Sequence, residues 1–545
     1  MCVQPTTCVA FALFLLFGAI DGRSQAGPAP GMRLYGEVSS TEAHLIDVTG
    51  TITHTWQTNF NPGLGVYLLD DGSLLRTIRV NSPITTSGRG GGVQRIAFDG
   101  TLLWDFRYDG PGVLSHHDIE PMPNGNVLLI AWEDKTVAEA IAAGRDPATI
   151  NTAVFRPDHI VEVEPTGPTT GDIVWEWHVW DHLIQDFDPN QANYGVVGDH
   201  PELVDINYPA GVSSQSDDWN HANGIDYDPV NDWIVLSAPR QDEIWIIDHS
   251  TTSAEAAGHS GGNHGKGGDL LYRWGNPAAY RAGTAADQTL NAQHNPRFIP
   301  PGYPGAGNLT VFNNLFATQR SAVFEIALPL NAQGEFVLDP ATGRYGPAGP
   351  VWSYTAAGFF SQIISSAQRL PNGNTLICSG AQQRLFEVTS AGQTVWQHTA
   401  NGNVFHTHYV ERTLWSSTDQ ISAAAGGTIG LDLVAGNQHS GSLYLMLGSV
   451  TGTAPGTSLN GIPVPLNPDF LWNYMAGNPN TAPLLNQTLG SLAGGGTGSA
   501  SLGISPGLVP PAVTGLQMDF AYIVADPTAL LVTAASNAVA VTILP

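Results

Sequence analysis

The stretch HHDIEPMPNGNVLLIAWE, residues 116–133, decides how this chain reads. It opens on histidines and carboxylates, passes an Asn-Gly turn, and runs into an apolar strand rich in β-branched residues. The phrase returns with variations as HANGIDYDPVNDWIVLSAP at 221–239, QHNPRFIPPG…GNLTVFNN at 293–314 and SAQRLPNGNTLICSG at 366–380. Self-similar strand-and-turn units predict a stacked or closed all-β architecture. Equivalent openings in successive units then converge on one face, and three of the four openings carry histidine.

A second pattern lies between the openings. An apolar strand meets a tight turn, and the next strand carries a tryptophan near its end: IVEVEPTGPTTGDIVWEWH, EIWIIDHS…GGDLLYRWG, AVFEIALPL…GPVWSY and LFEVTSAGQTVWQH. Gly-containing dipeptides at the turns suit hairpins. Together the two patterns predict four-stranded antiparallel blades. The openings are roughly 75 to 105 residues apart, beyond the ~40-residue repeat of common propellers, so the units carry insertions. Five or six blades fit the length, and a six-bladed β-propeller is the expectation. A β-helix is the alternative, but its coils are shorter and more regular.

The repeated units occupy residues 31–412. Beyond Arg412 no Lys or Arg occurs, and Ala, Gly, Leu, Ser and Thr dominate. Strands such as GSLYLMLGSV and NAVAVTIL, separated by Gly-rich turns, predict a small antiparallel β-sandwich over 417–545. Its poverty in charge points to an accessory role. At the other end, residues 8–20 form a charge-free apolar run too short to span a bilayer, followed by the small-x-small triplet Ser24-Gln25-Ala26. Residues 1–26 therefore read as a signal peptide. The mature chain would be periplasmic or extracellular, without an integral membrane segment. Cys2 and Cys8 would leave with the peptide, and Cys378 would remain as a core residue without a disulfide partner.

The formal net charge is −27, with 20 basic against 47 acidic side chains. Such a surface repels nucleic acid and anionic membranes, which removes both as partners. It also makes any arginine near the histidine openings informative. Oligomeric state has no signature in the sequence.

The openings resemble the arylsulfotransferase family, bacterial secreted enzymes built on a six-bladed propeller. The resemblance is carried by HHDIEPMPNGNVLL, DDWNHANGIDYDP, GKGGDLLYRWGNP, the Gln293-His294 pair with GNLTVFNN, and SAQRLPNGNTLICSG with FEVT. It covers residues 91–409. What the resemblance implies is sulfuryl transfer from an aryl sulfate ester to a phenolic acceptor, independent of a nucleotide sulfate donor. Small-molecule aryl sulfates and phenols would be the partners. It implies a histidine nucleophile, further histidines and a sulfate-binding arginine. His221 matches the family's His-x-Asn residue, His294 the histidine of its Gln-His opening, and Arg320 the arginine. The nucleophile position aligns near the LFEV strand, at Gln383.

The chemistry of the residues is compatible with that reading. Sulfuryl transfer requires an anion to be held, a leaving phenolate to be protonated and an acceptor to be deprotonated. Imidazole titrates near neutrality and serves as acid, base or nucleophile. Arginine holds two oxyanion oxygens with one planar fork. Further candidates are Asn223, as an orienter of His221, His408 after the last blade, and His117. Strand alternation predicts that only one of His116 and His117 points inward, with His117 favoured.

No cofactor is predicted, and a metal is left open. His116, His117, Asp118, His221, His264 and His294 include metal-ligating types, but without a local ligand spacing. The loop HSGGNHGKGGDL lacks the spacing of a nucleotide-phosphate loop and reads as a flexible connection. The alternative functions are a non-catalytic propeller that binds a ligand or protein partner, and a metal-dependent hydrolase or lyase.

Overall fold

A computed structural model describes residues 27–209 and 217–545. The expected signal peptide, 1–26, lies outside the described residues. Six four-stranded antiparallel sheets form the first part of the chain. Blade 2 runs through Pro62–Leu68, Leu74–Arg79, Gly91–Ile96 and Leu102–Arg107. Blade 3 contains Val113–Pro121, Val127–Glu133, Asp158–Gly167 and Thr170–His178. Blade 4 contains Ile225–Asp228, Trp233–Ala238, Glu243–Asp248 and Tyr272–Trp274. Blade 5 is made of His294–Phe298, Leu309–Ala317, Arg320–Ile326 and Trp352–Tyr354. Blade 6 is made of Ser366–Arg369, Thr375–Ser379, Arg384–Val388 and Thr394–Thr399.

Blade 1 closes the ring. Its three outer strands, Met32–Glu37, Glu42–Ile46 and Ile52–Gln57, come from the start of the described chain. Its inner strand, Val404–Val410, comes from the end of the propeller and pairs antiparallel with Met32–Glu37, Leu34 opposite His408. Closure leaves no open sheet edge between first and last blades. A buried ion pair reinforces it: Arg33 Nη2 lies 2.7 Å from Glu387 of blade 6, and neither side chain is exposed.

The tryptophans of the second sequence pattern link the blades. Each outermost strand carries one whose indole N–H donates to a backbone carbonyl in the connection between the third and fourth strands of the next blade or at the start of the fourth. The pairs are Trp56 to Ala97 (3.1 Å), Trp104 to Thr170 (3.0 Å) and Trp177 to Gly268 (2.7 Å). Trp274 to Pro347 (2.8 Å), Trp352 to Ser390 (2.8 Å) and Trp396 to Val48 (2.9 Å) complete the circle. The ring body fills the wedge between sheets while its polar edge is satisfied.

From Leu414 the chain builds two further sheets. One is ordered Leu414–Ser416, Gly427–Val434, Thr497–Ile504 and Leu485–Asn486. The other centres on Gln517–Ala525 between Val539–Leu544 and Leu443–Ser449. Their facing sides bury Leu431, Leu433, Met446, Phe520, Tyr522 and Val541 in one core. The unit is a sandwich whose pairing is antiparallel except where Gln420–Ser422 runs parallel to Val539–Leu544. Trp415, in its first strand, stacks on Phe98 at 5.4 Å and joins the core of blades 1 and 2. Among the described residues no helix is long and apolar enough to cross a membrane.

Candidate active site

The repeated openings precede or begin the inner strands of blades 3, 4 and 5, so their side chains meet at one mouth of the central channel. At 116–118 the strand of blade 3 is interrupted. The pairing register shifts between Ser115 and Ile119, and His117 adopts φ 51°. The bulge breaks the alternation on which the one-inward-histidine expectation rested. Both rings are buried and touch each other. His116 stacks on Trp132 at 3.9 Å, and His117 meets His221 edge-on with centroids 4.6 Å apart.

The hydrogen bonds assign the tautomers. His116 Nε2 lies 3.0 Å from the Asp158 carboxylate, which only accepts, so Nε2 carries the proton. His116 Nδ1 and His117 Nδ1 lie 2.8 Å apart and share one hydrogen bond. Burial, and then the charges of His221 and His116, drive the His117 pKa well below its ordinary value and keep it neutral. Gly88, at φ 86°, permits this ring to sit where it does: a Cβ there would fall 2.0 Å from His117 Cε1.

His221, also left-handed at φ 57°, pairs through Nδ1 with the buried Asp218 carboxylate. Burial works against its charge, but the Asp218 carboxylate outweighs burial and raises the His221 pKa above its ordinary value. Asp218 is in turn fixed by the Trp132 indole N–H at 2.9 Å. The pairing of Nδ1 leaves Nε2 as the nitrogen to face a cavity of about 470 Å3, whose lining includes Ser87, Arg156, His221 and Arg240.

His294 begins the inner strand of blade 5. Asn314 Nδ2 donates to the carbonyls of Ser361 and Ile364 at 2.8 and 2.7 Å, so its Oδ1 is the atom facing His294 Nδ1 at 2.8 Å. His294 is thereby fixed as the Nδ1–H tautomer with its lone pair on Nε2, which receives only a 3.2 Å bond from the Ile364 amide. Burial, partly offset by the Asn314 bond and reinforced by the charge on His221, lowers its pKa to about 4. Phe405 lies 6.3 Å from both His117 and His294 and forms an apolar group with Leu64 and Ile364.

His117, His221 and His294 are thus brought together. The other expected residues are placed elsewhere. Arg320 is exposed in the hairpin between the second and third strands of blade 5, beside exposed Leu315 and Phe316, and among the described residues it makes no hydrogen bond or ion pair with the histidines. The arginine that acts on His221 is Arg240, in the corresponding hairpin of blade 4. Asn223 is not the orienter of His221. It donates to the Gln293 carbonyl at 3.0 Å and ties the blade 4 opening to the blade 5 opening, while Asp218 orients the ring. His408 enters the channel but deeper, against His406 and Tyr67. Gln383 occupies a left-handed hairpin position in blade 6, outside any inner strand.

Below the histidines the channel is ringed by charge. Arg297 of blade 5 pairs with Asp226 of blade 4 at 3.0 Å and Glu120 of blade 3 at 3.4 Å. Tyr67 of blade 2 donates to Asp118 at 2.9 Å, and burial pushes the Asp118 carboxyl up to about 7. Asp118 therefore belongs to this lower layer. His264 lies apart, accepting from the Trp233 indole at 2.9 Å. The sequence-based metal candidates do not form one ligand set.

A six-bladed propeller whose inner-strand openings gather histidines, with an arginine beside His221, places the candidate site at one mouth of the channel. The chain belongs to the arylsulfotransferase (ASST) family, whose sequence model matches residues 84–413, and this places it among sulfotransferases. No curated protein matches it. Among solved structures it is similar to a protein of unknown function from Bacteroides caccae, at 13% identity, 70% of this chain, 98% of that one and TM-score 0.38. It is also similar to a periplasmic gluconolactonase from Pseudomonas aeruginosa, at 10% identity, 70% and 99% coverage and TM-score 0.36. A third is virginiamycin B lyase from Staphylococcus aureus, at 13% identity, 69% and 78% coverage and TM-score 0.28.

Proposed function

We propose that this protein moves a sulfuryl group from an aryl sulfate ester to a phenol through a covalent intermediate on His294, without a nucleotide sulfate donor. The observation that carries this reading is the opposed state of two neighbouring imidazoles. His294 is neutral with its lone pair on Nε2, and His221 is held toward its cationic form by Asp218.

In the first half-reaction His294 Nε2 attacks sulfur and displaces the Ile364 amide contact. The N–S bond forms, the S–O(aryl) bond breaks, and the departing phenolate takes the proton of His221. Arg240 and the His221 charge stabilise the equatorial oxygens as negative charge spreads over them. In the second half-reaction neutral His221 takes the acceptor's proton, and the phenolate attacks sulfur and restores His294. Leu64, Ile364 and Phe405 offer the apolar wall against which an aryl ring lies. The reading includes release of residues 1–26 and a periplasmic or extracellular location.

The test is turnover of 4-nitrophenyl sulfate with phenol and no added nucleotide. Nitrophenol release that depends on acceptor, a sulfate adduct on the peptide bearing His294, and a loss on the order of 10²–10⁴-fold in His294→Asn are expected. Acceptor-independent release would make the protein a sulfatase. A folded protein without turnover across aryl sulfates would make it a binding module.

A further inference from the structure

A second group of metal-type side chains stands away from the channel, at the outer junction of blades 3 and 4. His182 follows the outermost strand of blade 3 by one short turn. His259 and Asp269 bracket the glycine-rich loop that leads to the outermost strand of blade 4. His182 Nδ1 lies 2.8 Å and His259 Nδ1 2.7 Å from the same oxygen, Asp269 Oδ1. One ligand atom from each residue falls within 4.8 Å of the others.

The second nitrogen of His182 makes this group more than a pair of hydrogen bonds. Nε2 lies 2.8 Å from the Ala256 carbonyl oxygen. A carbonyl only accepts, so Nε2 carries a hydrogen, and Nδ1 is the nitrogen left to face the Asp269 oxygen. A histidine whose outer N–H donates to a backbone carbonyl while its inner nitrogen faces a carboxylate has the support that orients metal-bound imidazoles.

The surroundings lock that ring. Trp177 lies parallel to it, 5.6 Å away at 6°, and donates to the Gly268 carbonyl at 2.7 Å. A Cβ on Gly268 would fall 2.0 Å from the Ala256 oxygen and 2.6 Å from His182 Nε2, so only glycine lets the loop close there. His182 is fully buried and Asp269 nearly so, whereas the His259 side chain is 61% exposed and leaves an open approach from solvent.

We propose that His182 Nδ1, His259 Nδ1 and the Asp269 carboxylate bind one divalent transition-metal ion, with zinc the best match. Two imidazoles and a carboxylate are zinc ligands, and water completes the shell on the His259 side. The ion clasps the loop 259–269 onto the segment after blade 3. It is separate from the sulfuryl-transfer site and does not rest on that reading. The sequence showed the loop as a flexible connection because its third ligand, His182, lies some eighty residues upstream of His259.

The experiment uses the mature chain without a polyhistidine tag, stripped with chelator and dialysed against zinc. One zinc retained per chain, a rise in Tm on adding it, and a visible d–d absorption band with cobalt(II) are expected. His259→Gln, at an exposed position, and Asp269→Asn should each weaken zinc binding beyond the ~10–100-fold that loss of an outer partner costs, and abolish the Tm rise. Failure of the folded wild-type chain to retain zinc overturns the proposal. So does zinc retention that both substitutions leave unchanged. A Tm indifferent to zinc would overturn it as well.

Discussion

At the scale of single residues, the proposed route rests on imidazoles held in different states within one small volume. Turnover by the proposed route needs His294 neutral and His221 protonated. The first condition is lost as pH falls through about 4, and the second as pH rises through the raised pKa of His221. The kcat/KM profile is therefore expected to be bell-shaped, with its acid limb near 4 and its alkaline limb above the ordinary histidine value. Asp218→Asn removes the charge that raises His221, so its alkaline limb should move to lower pH while the acid limb stays; steady-state rates across pH measure both. The arginines offer a second check. Arg240→Ala should raise the KM for aryl sulfate about 10–100-fold, the value of one charge-assisted hydrogen bond, and Arg320→Ala should leave it unchanged. His221 and His294 were legible in the sequence because each sits in a repeated phrase at a turn before a strand. Arg240 was not: APRQDE occupies the same hairpin in blade 4 that TQRSAV occupies in blade 5, and the phrase gives no sign of which hairpin leans over the channel. Asp218 and Asp158 escaped for a related reason. Their partners are set by chain reversals and by neighbouring blades.

At the scale of elements, the bulge at His116–His117 and the tryptophan circle divide the work between site and scaffold. Period-two alternation gave the strands, but at His117 an inserted left-handed residue interrupts that alternation, so the strand period alone does not set which way the two histidine rings turn. The recurrent tryptophan was visible as a pattern before its purpose was. Each indole spans a junction between blades, so the pattern records a contact between neighbouring units that strand reading alone does not reveal. Trp177→Phe keeps most of the apolar filling at the junction of blades 3 and 4 but leaves the Gly268 carbonyl without its donor. It should cost about 0.5–1.5 kcal/mol if water replaces the donor, read as a shift of the urea midpoint at constant m.

At the scale of the whole molecule, two closures hold one chain together: strand Val404–Val410 returns to the first blade, and the sandwich then docks beside it. The compositional break after Arg412 announced a second unit, yet nothing in a sequence without Lys or Arg showed which surface it covers. The contact uses shape and apolar area instead of charge. Trp415 lies on Phe98 within the cluster of Leu45, Trp56 and Ile96, and Gly72 at φ 81° gives the indole room, since a Cβ there would fall 2.7 Å from the ring. The Asn437 amide adds one bond to Asp47 at 2.5 Å. A fully buried indole at a contact between units stabilises both sides, so its loss should loosen their coupling before it unfolds either core. Trp415→Ala is expected to cost about 3–5 kcal/mol. In calorimetry the sandwich should then melt as a separate, earlier transition, while the propeller keeps its own midpoint and its transferase activity. A single cooperative transition in that variant would show instead that the covalent link and the Asp47 contact suffice to couple the two units.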